Sequence, residues 1–409
     1  MRRVAITGVG AVTPLGNDMQ TTWKGLVEGR SGVDFIQAFD TDDFPVKIAA
    51  EVKDFDPALA VTPKRARNLD RAVLFALAAA KEAMEDAGVN GYKPDRTGVV
   101  LGSCVGGFNQ LMQQHDILRE RGPDRVSPMF IPNMLVDSPS GQLAIELGIR
   151  GPNFAIVSAC ATGSHAIGEG AEQIRNGHAD AVLAGGTEGC IHPLILAGFC
   201  SMRGLVQEEE DPASASRPFD ATRAGFVMAE GAGVMLLEDM ETAQDRGARI
   251  YAEVLGHGAS NDAYHMAAPD PESVGVVEMM RQALARADVE PSRVDYVNAH
   301  GTSTPLGDLA ETKAIKEVFE DHAKELAVSS TKSMLGHMFG AAGAVEAIVC
   351  ALAIHENVIP PTINYRNPDP ECDLDYVPNE AREAEIDVAL SNAMVLGGHN
   401  GCVLVGRVD

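Results

Sequence analysis

Short apolar segments alternate with helical stretches along this chain, with no linker or low-complexity tract between them, and that alternation most restricts how it can fold. Segments 4–7, 98–102, 155–158, 181–184, 234–238, 252–256, 296–299, 327–329 and 402–406 read as buried strands. Between them, 70–87, 163–176, 274–287, 308–319 and 341–354 carry helical spacing. Strands that are apolar on both faces need helices to cover them, so the pattern predicts α/β layers. A faint repeat runs through it. Ala155-Ile156-Val157-Ser158 before Cys160 resembles Ala327-Val328-Ser329-Ser330 before Lys332, with the valines 171 positions apart. Val234-Met235-Leu236 resembles Val403-Leu404-Val405 at an offset of 169. Two nearly equal offsets predict two similar halves. Gly10-x-x-Thr13-Pro14-Leu15-Gly16 also matches Gly301-x-x-Thr304-Pro305-Leu306-Gly307, but its offset of 291 does not fit that repeat. It reads as recurring turn chemistry.

Charge and cysteine usage exclude several classes. A balance of 33 basic against 58 acidic residues, net −25, argues against a surface-wide nucleic-acid or anionic-membrane footprint. The seven cysteines are odd in number and contain no C-x-x-C pair, so neither a disulfide framework nor a zinc ribbon fits, and a reducing compartment is expected. No H-E-x-x-H occurs among the eleven histidines, and no metal is expected. Arg2-Arg3 and the apolar residues after them are interrupted by Gly8, Gly10, Thr13 and Pro14, which reads as a first strand and not a secretion signal. The uncharged run 388–406 reads as strand, glycine loop, strand, since its loop backbone would go unsatisfied in lipid. A soluble, cytoplasmic protein is expected, with no nucleic acid and no membrane among its partners.

Four places carry chemistry. Cys160 follows a strand and precedes a helix, where unpaired N–H groups and the macrodipole favour a thiolate. The small neighbours Ala159, Ala161 and Gly163 leave room for an acyl group. The plainer reading is a buried structural thiol; Cys104 is a weaker rival because no helix start follows it at once. His300 ends an apolar strand and opens a hydroxyl-rich turn, a position where α/β folds bind ligands. Lys332 and His337 bracket a turn, and a buried lysine needs a partner, for which Glu346 is the nearest downstream carboxylate. Gly397 and Gly398 lie in a loop whose backbone N–H groups could close an oxyanion hole. One cysteine, two histidines and a lysine without a metal motif favour acyl-thioester chemistry.

Ser158-Ala159-Cys160-Ala161-Thr162-Gly163, Asn298-Ala299-His300-Gly301-Thr302-Ser303-Thr304-Pro305 and Ser330-Thr331-Lys332-Ser333-x-x-Gly336-His337 resemble, in order, the signature blocks of the elongating β-ketoacyl-acyl-carrier-protein synthases. Arg217-Pro218-Phe219-Asp220, Gly225-Phe226-Val227, Asp262-Ala263-Tyr264-His265 and Pro360-Pro361-Thr362-Ile363-Asn364 extend the likeness over the chain. The resemblance implies a thiolase-like α/β fold, two duplicated mixed-sheet halves in five αβαβα layers. The first half, 1–250, would carry the nucleophilic cysteine, and the second, 251–409, both histidines.

It also implies roles. Cys160 takes an acyl chain from a carrier protein. His300 and His337 hold the malonyl thioester and act only in the condensation, so that losing either spares acyl transfer. The backbone N–H groups of Cys160 and Leu396 hold the oxyanion, Lys332 with Glu346 organises the field, and Thr302 and Thr304 contact pantetheine. Val105, Phe199 and Leu396 line the acyl pocket. No cofactor is bound, since phosphopantetheine arrives on the acyl carrier protein. A homodimer across the first half is implied, with a heterodimer containing a chain-length-factor-like subunit as the alternative. The likeness places carrier docking at Lys64, Arg65, Arg67 and Arg203, a local basic site on an acidic enzyme.

One block departs from the family pattern. Where the family reads N-S-F-G-F-G-G, this chain has Ala393, Met394, Val395 and Leu396 before Gly397. Leu396 is smaller than the gating phenylalanine, and β-branched Val395 resists the positive φ of the glycine it replaces. Fatty-acid elongation is the leading expectation, and a ketosynthase of a polyene-type type II polyketide synthase is the alternative. A non-catalytic chain-length partner would lack Cys160. A thiolase would place a second cysteine near the glycine loop, whereas Cys402 lies beyond it on the strand.

Overall fold

The structure is a computed structural model and describes residues 2–89, 91–207, 210–394 and 396–408. Ten strands form one mixed sheet. The first five are β1 (Val4–Val12), β2 (Thr97–Gly102), β3 (Asn153–Phe154), β4 (Ala181–Glu188) and β5 (Gly231–Asp239). The other five are β6 (Ala252–Asn261), β7 (Tyr296–Asn298), β8 (Ala327–Ser329), β9 (Val388–Met394) and β10 (His399–Gly406). Their spatial order is β8-β7-β9-β10-β6-β1-β5-β4-β2-β3. Read outward from the centre, β1-β5-β4-β2-β3 has the same order as β6-β10-β9-β7-β8. Even the directions match: two antiparallel pairings and then two parallel ones in each half. The halves meet through a short antiparallel contact of Ala5 with Glu253 and Ile6 with Ala252. This is the duplicated fold that the faint repeat predicts.

Helices supply three further layers. They are α1 (Arg71–Asp86), α2 (Phe108–Arg121), α3 (Thr162–Arg175), α4 (Pro193–Met202), α5 (Val274–Ala287), α6 (Pro305–Phe319) and α7 (Ala342–Glu356). On the outside, α1 covers β1, β4 and β5, and α5 covers β6 and β10 with α6 beside it. Between the halves, α3 and α7 pack on strands of both. α7 is apolar all round because it is covered all round, with residues 342–354 buried. The stretch 339–356 is long and apolar enough to cross a membrane, but 89% of it is buried inside the protein. Its hydrophobicity therefore serves the central layer.

The two central helices touch through small residues. A Cβ on Gly163 would lie 2.5 Å from the Ala344 nitrogen, and one on Gly343 would lie 2.3 Å from Ser164 Oγ. Each helix also starts from a strained turn. Ala159 has φ +49° ahead of α3, and Phe339 has φ +45° ahead of α7. The counterpart of Cys160 is thus Gly340, not Lys332 as the match of the two preceding segments predicts. The second half inserts a helical turn, Lys332–Leu335, between β8 and α7, which shifts the register. Residues 155–158 also differ from expectation. The ladder ends at Phe154, and the chain leaves the sheet edge to reach the turn at Ala159.

α1 is pinned to β1 by carboxylates. Glu82 accepts hydrogen bonds from the Ala11 and Met19 nitrogens at 2.9 and 2.7 Å. Burial pushes its pKa up to about 7, against the pull of those two donors. A folded value above the ordinary carboxylate value means a stability contribution that is full below about pH 4.3 and lost as pH rises through 7. Glu82→Gln should flatten the fall in unfolding free energy between pH 5 and pH 8 by up to roughly 3 kcal/mol. Denaturant titrations of both proteins across that range check this; parallel pH profiles would refute it.

Candidate active site

Cys160 sits in the single-turn helix Ala159–Ala161 at the head of α3 and is 5% exposed. Its Sγ lies 2.8 Å from His337 Nε2. The His337 ring stands edge-on to that of His300, with centroids 5.3 Å apart at 87°. Lys332, 2% exposed, pairs with Glu346, which is 1% exposed. Five residues from two halves of the sequence thus meet at one point. β7 delivers His300, the turn after β8 delivers Lys332 and His337, and α7 delivers Glu346.

Burial decides the protonation states. It pushes the Cys160 thiol up to about 12, although Lys332 and the backbone N–H of Cys160 pull the other way. This corrects the expectation of a thiolate favoured by the helix N-terminus. The backbone N–H at the helix start acts in the expected sense, but loss of solvent outweighs it. Burial and the Lys332 charge together hold both His300 and His337 well below the ordinary histidine range, so both rings are neutral. A neutral thiol therefore faces a neutral imidazole. Burial raises the Glu346 carboxyl, and the charge of Lys332 opposes that rise. Among the described residues, Nδ1 of His300 and Nδ1 of His337 have no hydrogen-bond partner.

Buried carboxylates that the sequence reading missed hold the loops in place. Glu311 on α6 accepts from the His300 and Gly301 nitrogens, both at 2.8 Å, and from Asn392 Nδ2 at 3.2 Å. One turn earlier, Asp308 accepts from the nitrogens of Phe219 (2.8 Å) and Ser303 (3.1 Å). Glu188, fully buried at the end of β4, takes Ser103 Oγ and the Cys104 nitrogen at 2.9 Å each and the Gly340 nitrogen at 3.1 Å. It ties the Cys104 loop to the turn opposite Cys160. The signals were present: an acid ending an apolar strand, and an i, i+3 acid pair on the helix after the His300 block.

The remaining predicted residues divide. Val105 and Phe199 belong to the apolar cluster that contains Cys160, together with Cys104, Ile191, Leu196 and Phe226. Phe199 stacks on Phe339 at 5.2 Å, and Phe339 lies 4.9 Å from the His337 ring, so an aromatic wall runs to the Cys160–His337 pair. Thr302 and Thr304 share a hydrogen bond of 3.0 Å. Gly397 and Gly398 have φ of +81° and +73°, conformations open to glycine. Val395 lies outside the described residues, and of Leu396 the backbone alone is described, in the turn Leu396–Gly398. Lys64, Arg67 and Arg203 are exposed. Arg65 is not available in the same way, because its guanidinium pairs with Glu146 and donates to Gln142 Oε1 at 3.1 Å.

Comparison with known proteins agrees with this geometry. The family described as "Beta-ketoacyl synthase, N-terminal domain" matches residues 1–243, and "Beta-ketoacyl synthase, C-terminal domain" matches 251–366. A Coxiella burnetii protein named 3-oxoacyl-[acyl-carrier-protein] synthase 2 is 50% identical over 409 residues, covering 100% of this chain and 99% of that one. One similar solved structure is a type II polyketide synthase acyl-carrier protein in complex with its ketosynthase bound to the hexaketide. It superposes with a TM-score of 0.92 at 33% identity over the whole of both chains. The ishigamide ketosynthase/chain length factor gives 0.92 at 36% identity, also over the whole of both chains.

Proposed function

The chain belongs to the beta-ketoacyl synthase family, and from that premise we propose that the Cys160 site carries out decarboxylative Claisen condensation in fatty-acid elongation. The observation that carries this reading is the 2.8 Å contact between Cys160 Sγ and His337 Nε2 beside a second neutral histidine. The Cys160 thiol attacks the thioester carbonyl of an acyl-loaded carrier protein. Its proton passes to His337 Nε2 and then to the departing phosphopantetheine sulfur, leaving acyl-Cys160 and a neutral imidazole. Malonyl carrier follows. His300, and His337 once proton exchange with solvent has returned its ring to the Nε2–H tautomer, donate hydrogen bonds to its thioester oxygen, which takes up negative charge as carbon dioxide leaves. Neutral rings suit this task, since a donor there must hold its proton while the enolate forms.

The enolate carbon then attacks the acyl-Cys160 carbonyl. The backbone N–H of Cys160, already directed at its own sulfur, and that of Leu396 hold the resulting oxyanion. Each such donor is worth ~3 kcal/mol in the transition state. Collapse breaks the bond from the acyl carbon to the Cys160 sulfur and releases 3-oxoacyl carrier, and a proton taken up from solvent through His337 Nε2 returns the sulfur to its thiol form. The acyl chain lies along Val105 and Phe199, pantetheine runs past Thr302 and Thr304, and the carrier lands on Lys64, Arg67 and Arg203. A second subunit belongs on the first half, where edge strand β3 ends the sheet and Leu118, Met129 and Ile131 expose 46%, 45% and 56% of their surface. The reaction takes place in the cytoplasm.

The test is product analysis by mass spectrometry with malonyl carrier and a panel of acyl carriers. Saturated primers should give 3-oxoacyl carrier longer by two carbons, with release of carbon dioxide. The altered residues Val395 and Leu396 favour one second reading, a ketosynthase of a polyene-type polyketide synthase. Turnover confined to conjugated unsaturated primers would select that reading, and no extension of any primer would refute both.

A further inference from the structure

The two oxyanion donors come from segments far apart in sequence, Cys160 and Leu396, and something must fix their separation. A donor that stands 1 Å away from its place loses most of its effect. Hydrogen bonds from one side chain, His165 on α3, reach both segments. Its Nδ1 lies 2.7 Å from Ser158 Oγ, two residues before Cys160. Its Nε2 lies 3.1 Å from the Asn400 carbonyl oxygen, two residues after Gly398. A carbonyl oxygen accepts only, so Nε2 carries the proton; burial keeps the ring neutral, and Nδ1 accepts from the Ser158 hydroxyl.

The packing around the ring leaves it little freedom. A Cβ on Gly401 would stand 2.7 Å from His165 Nε2 and 3.4 Å from the Ala161 Cβ, so β10 lies flat against both the ring and the Cys160 turn. The link then continues into the glycine turn. Asn400 Nδ2 donates to Asp262 Oδ1 at 2.6 Å, and the Asp262 nitrogen donates to the Gly398 oxygen at 2.9 Å. Ser158 itself is buried, and its nitrogen donates to Thr162 Oγ1 at 2.9 Å, which ties that end to the first turn of α3. His165 therefore bridges the strained Ala159 turn and the turn 396–398, and the condensation chemistry makes no other use of it.

We propose that His165 is a positioning residue that locks the Cys160 turn to the 396–398 turn and so sets the spacing of the oxyanion hole. The proposal rests on the reading of Cys160 as the acylated nucleophile, with the oxyanion held between these two turns. Both steps that pass through a tetrahedral intermediate at Cys160, acyl loading and condensation, depend on the lock. Malonyl decarboxylation does not, because His300 and His337 hold that carbonyl.

The experiment compares His165→Ala and His165→Gln with the wild-type full chain in three assays. These are the rate of Cys160 acylation by acyl carrier, the decarboxylation of malonyl carrier, and thermal unfolding. In His165→Ala the maximal acylation rate should fall by roughly 10- to 100-fold at unchanged carrier KM, with decarboxylation retained. His165→Gln, whose amide keeps one donor and one acceptor, should recover most of the lost rate. Ser158→Ala breaks the same link from its other end and should show the same split, without adding to the loss when combined with His165→Ala. Wild-type acylation in His165→Ala, a parallel loss of acylation, decarboxylation and thermal stability, or equal losses in the Ala and Gln variants would each overturn the proposal. Acylation persisting in a Cys160→Ala control would instead overturn the reading beneath it.

Discussion

Cys160→Ala should leave the protein folded and incapable of covalent acylation: intact mass after incubation with acyl carrier stays at that of the free chain, while the wild type gains one acyl group. Condensation is lost with it. No other described thiol is placed to substitute. Cys104 shares the apolar cluster, but among the described residues no histidine nitrogen stands at its sulfur as His337 Nε2 stands at Cys160 Sγ, so it has no base to take its proton. Acyl adducts persisting in the variant would move the nucleophile elsewhere. The two histidines should then separate. His300→Ala is expected to load the acyl chain normally and to lose condensation by ~10²–10⁴-fold. His337→Ala should slow both steps, because its Nε2, 2.8 Å from the sulfur, takes the thiol proton during loading. The sequence treats the two as equivalent; the distance distinguishes them. Normal acyl loading in His337→Ala would show that the thiol proton leaves by another route.

Glu346→Leu should be the most destabilising single substitution in the site. It strands the Lys332 ammonium, 2% exposed, without a counter-charge. Breaking a buried ion pair from one side typically costs about 3–5 kcal/mol. Removing both charges is a different matter, since well-packed apolar residues often replace a buried pair at little cost. Lys332→Met combined with Glu346→Leu should therefore recover much of the lost stability in urea titrations. It should not recover condensation, because the field that holds both histidines neutral includes the Lys332 charge. Equal stability of wild type and Glu346→Leu would mean that the pair contributes nothing to the stability of the fold.

Much of the architecture is legible in the chain itself. Periodicity places eight of the ten sheet strands within a few residues, and the offset of 169 between Val234 and Val403 correctly matches β5 with β10, which occupy equivalent places in the two halves. The uncharged run 388–406 reads correctly as two strands around a glycine turn. The offset of 171 pairs residues 155–158, which lie outside the sheet, with β8, and it fails again before α7 because a helical turn inserted after β8 is too short to leave a periodic signature. Residues 155–158 look like a strand because they are apolar and β-branched, yet the edge has no further ladder for them. Glu188, Asp308 and Glu311 pass unread for a common reason. A buried carboxylate identifies itself through the backbone N–H groups it accepts, and those belong to loops remote in sequence.

By itself the sequence determined the alternating layers, the duplication, and the residue types of the site: one cysteine, two histidines, a lysine and its carboxylate. These depend on local periodicity and on short motifs, which a linear chain displays. Tertiary structure alone decided the charge states and the distances. The helix N-terminus at Cys160 points toward a thiolate, yet enclosure of the site by α7 and the second half of the sheet raises the thiol to about 12. Desolvation is a property of everything packed around an atom, so no window of sequence contains it. The same enclosure keeps His300 and His337 neutral and brings His337 within 2.8 Å of a sulfur 177 residues away in the chain.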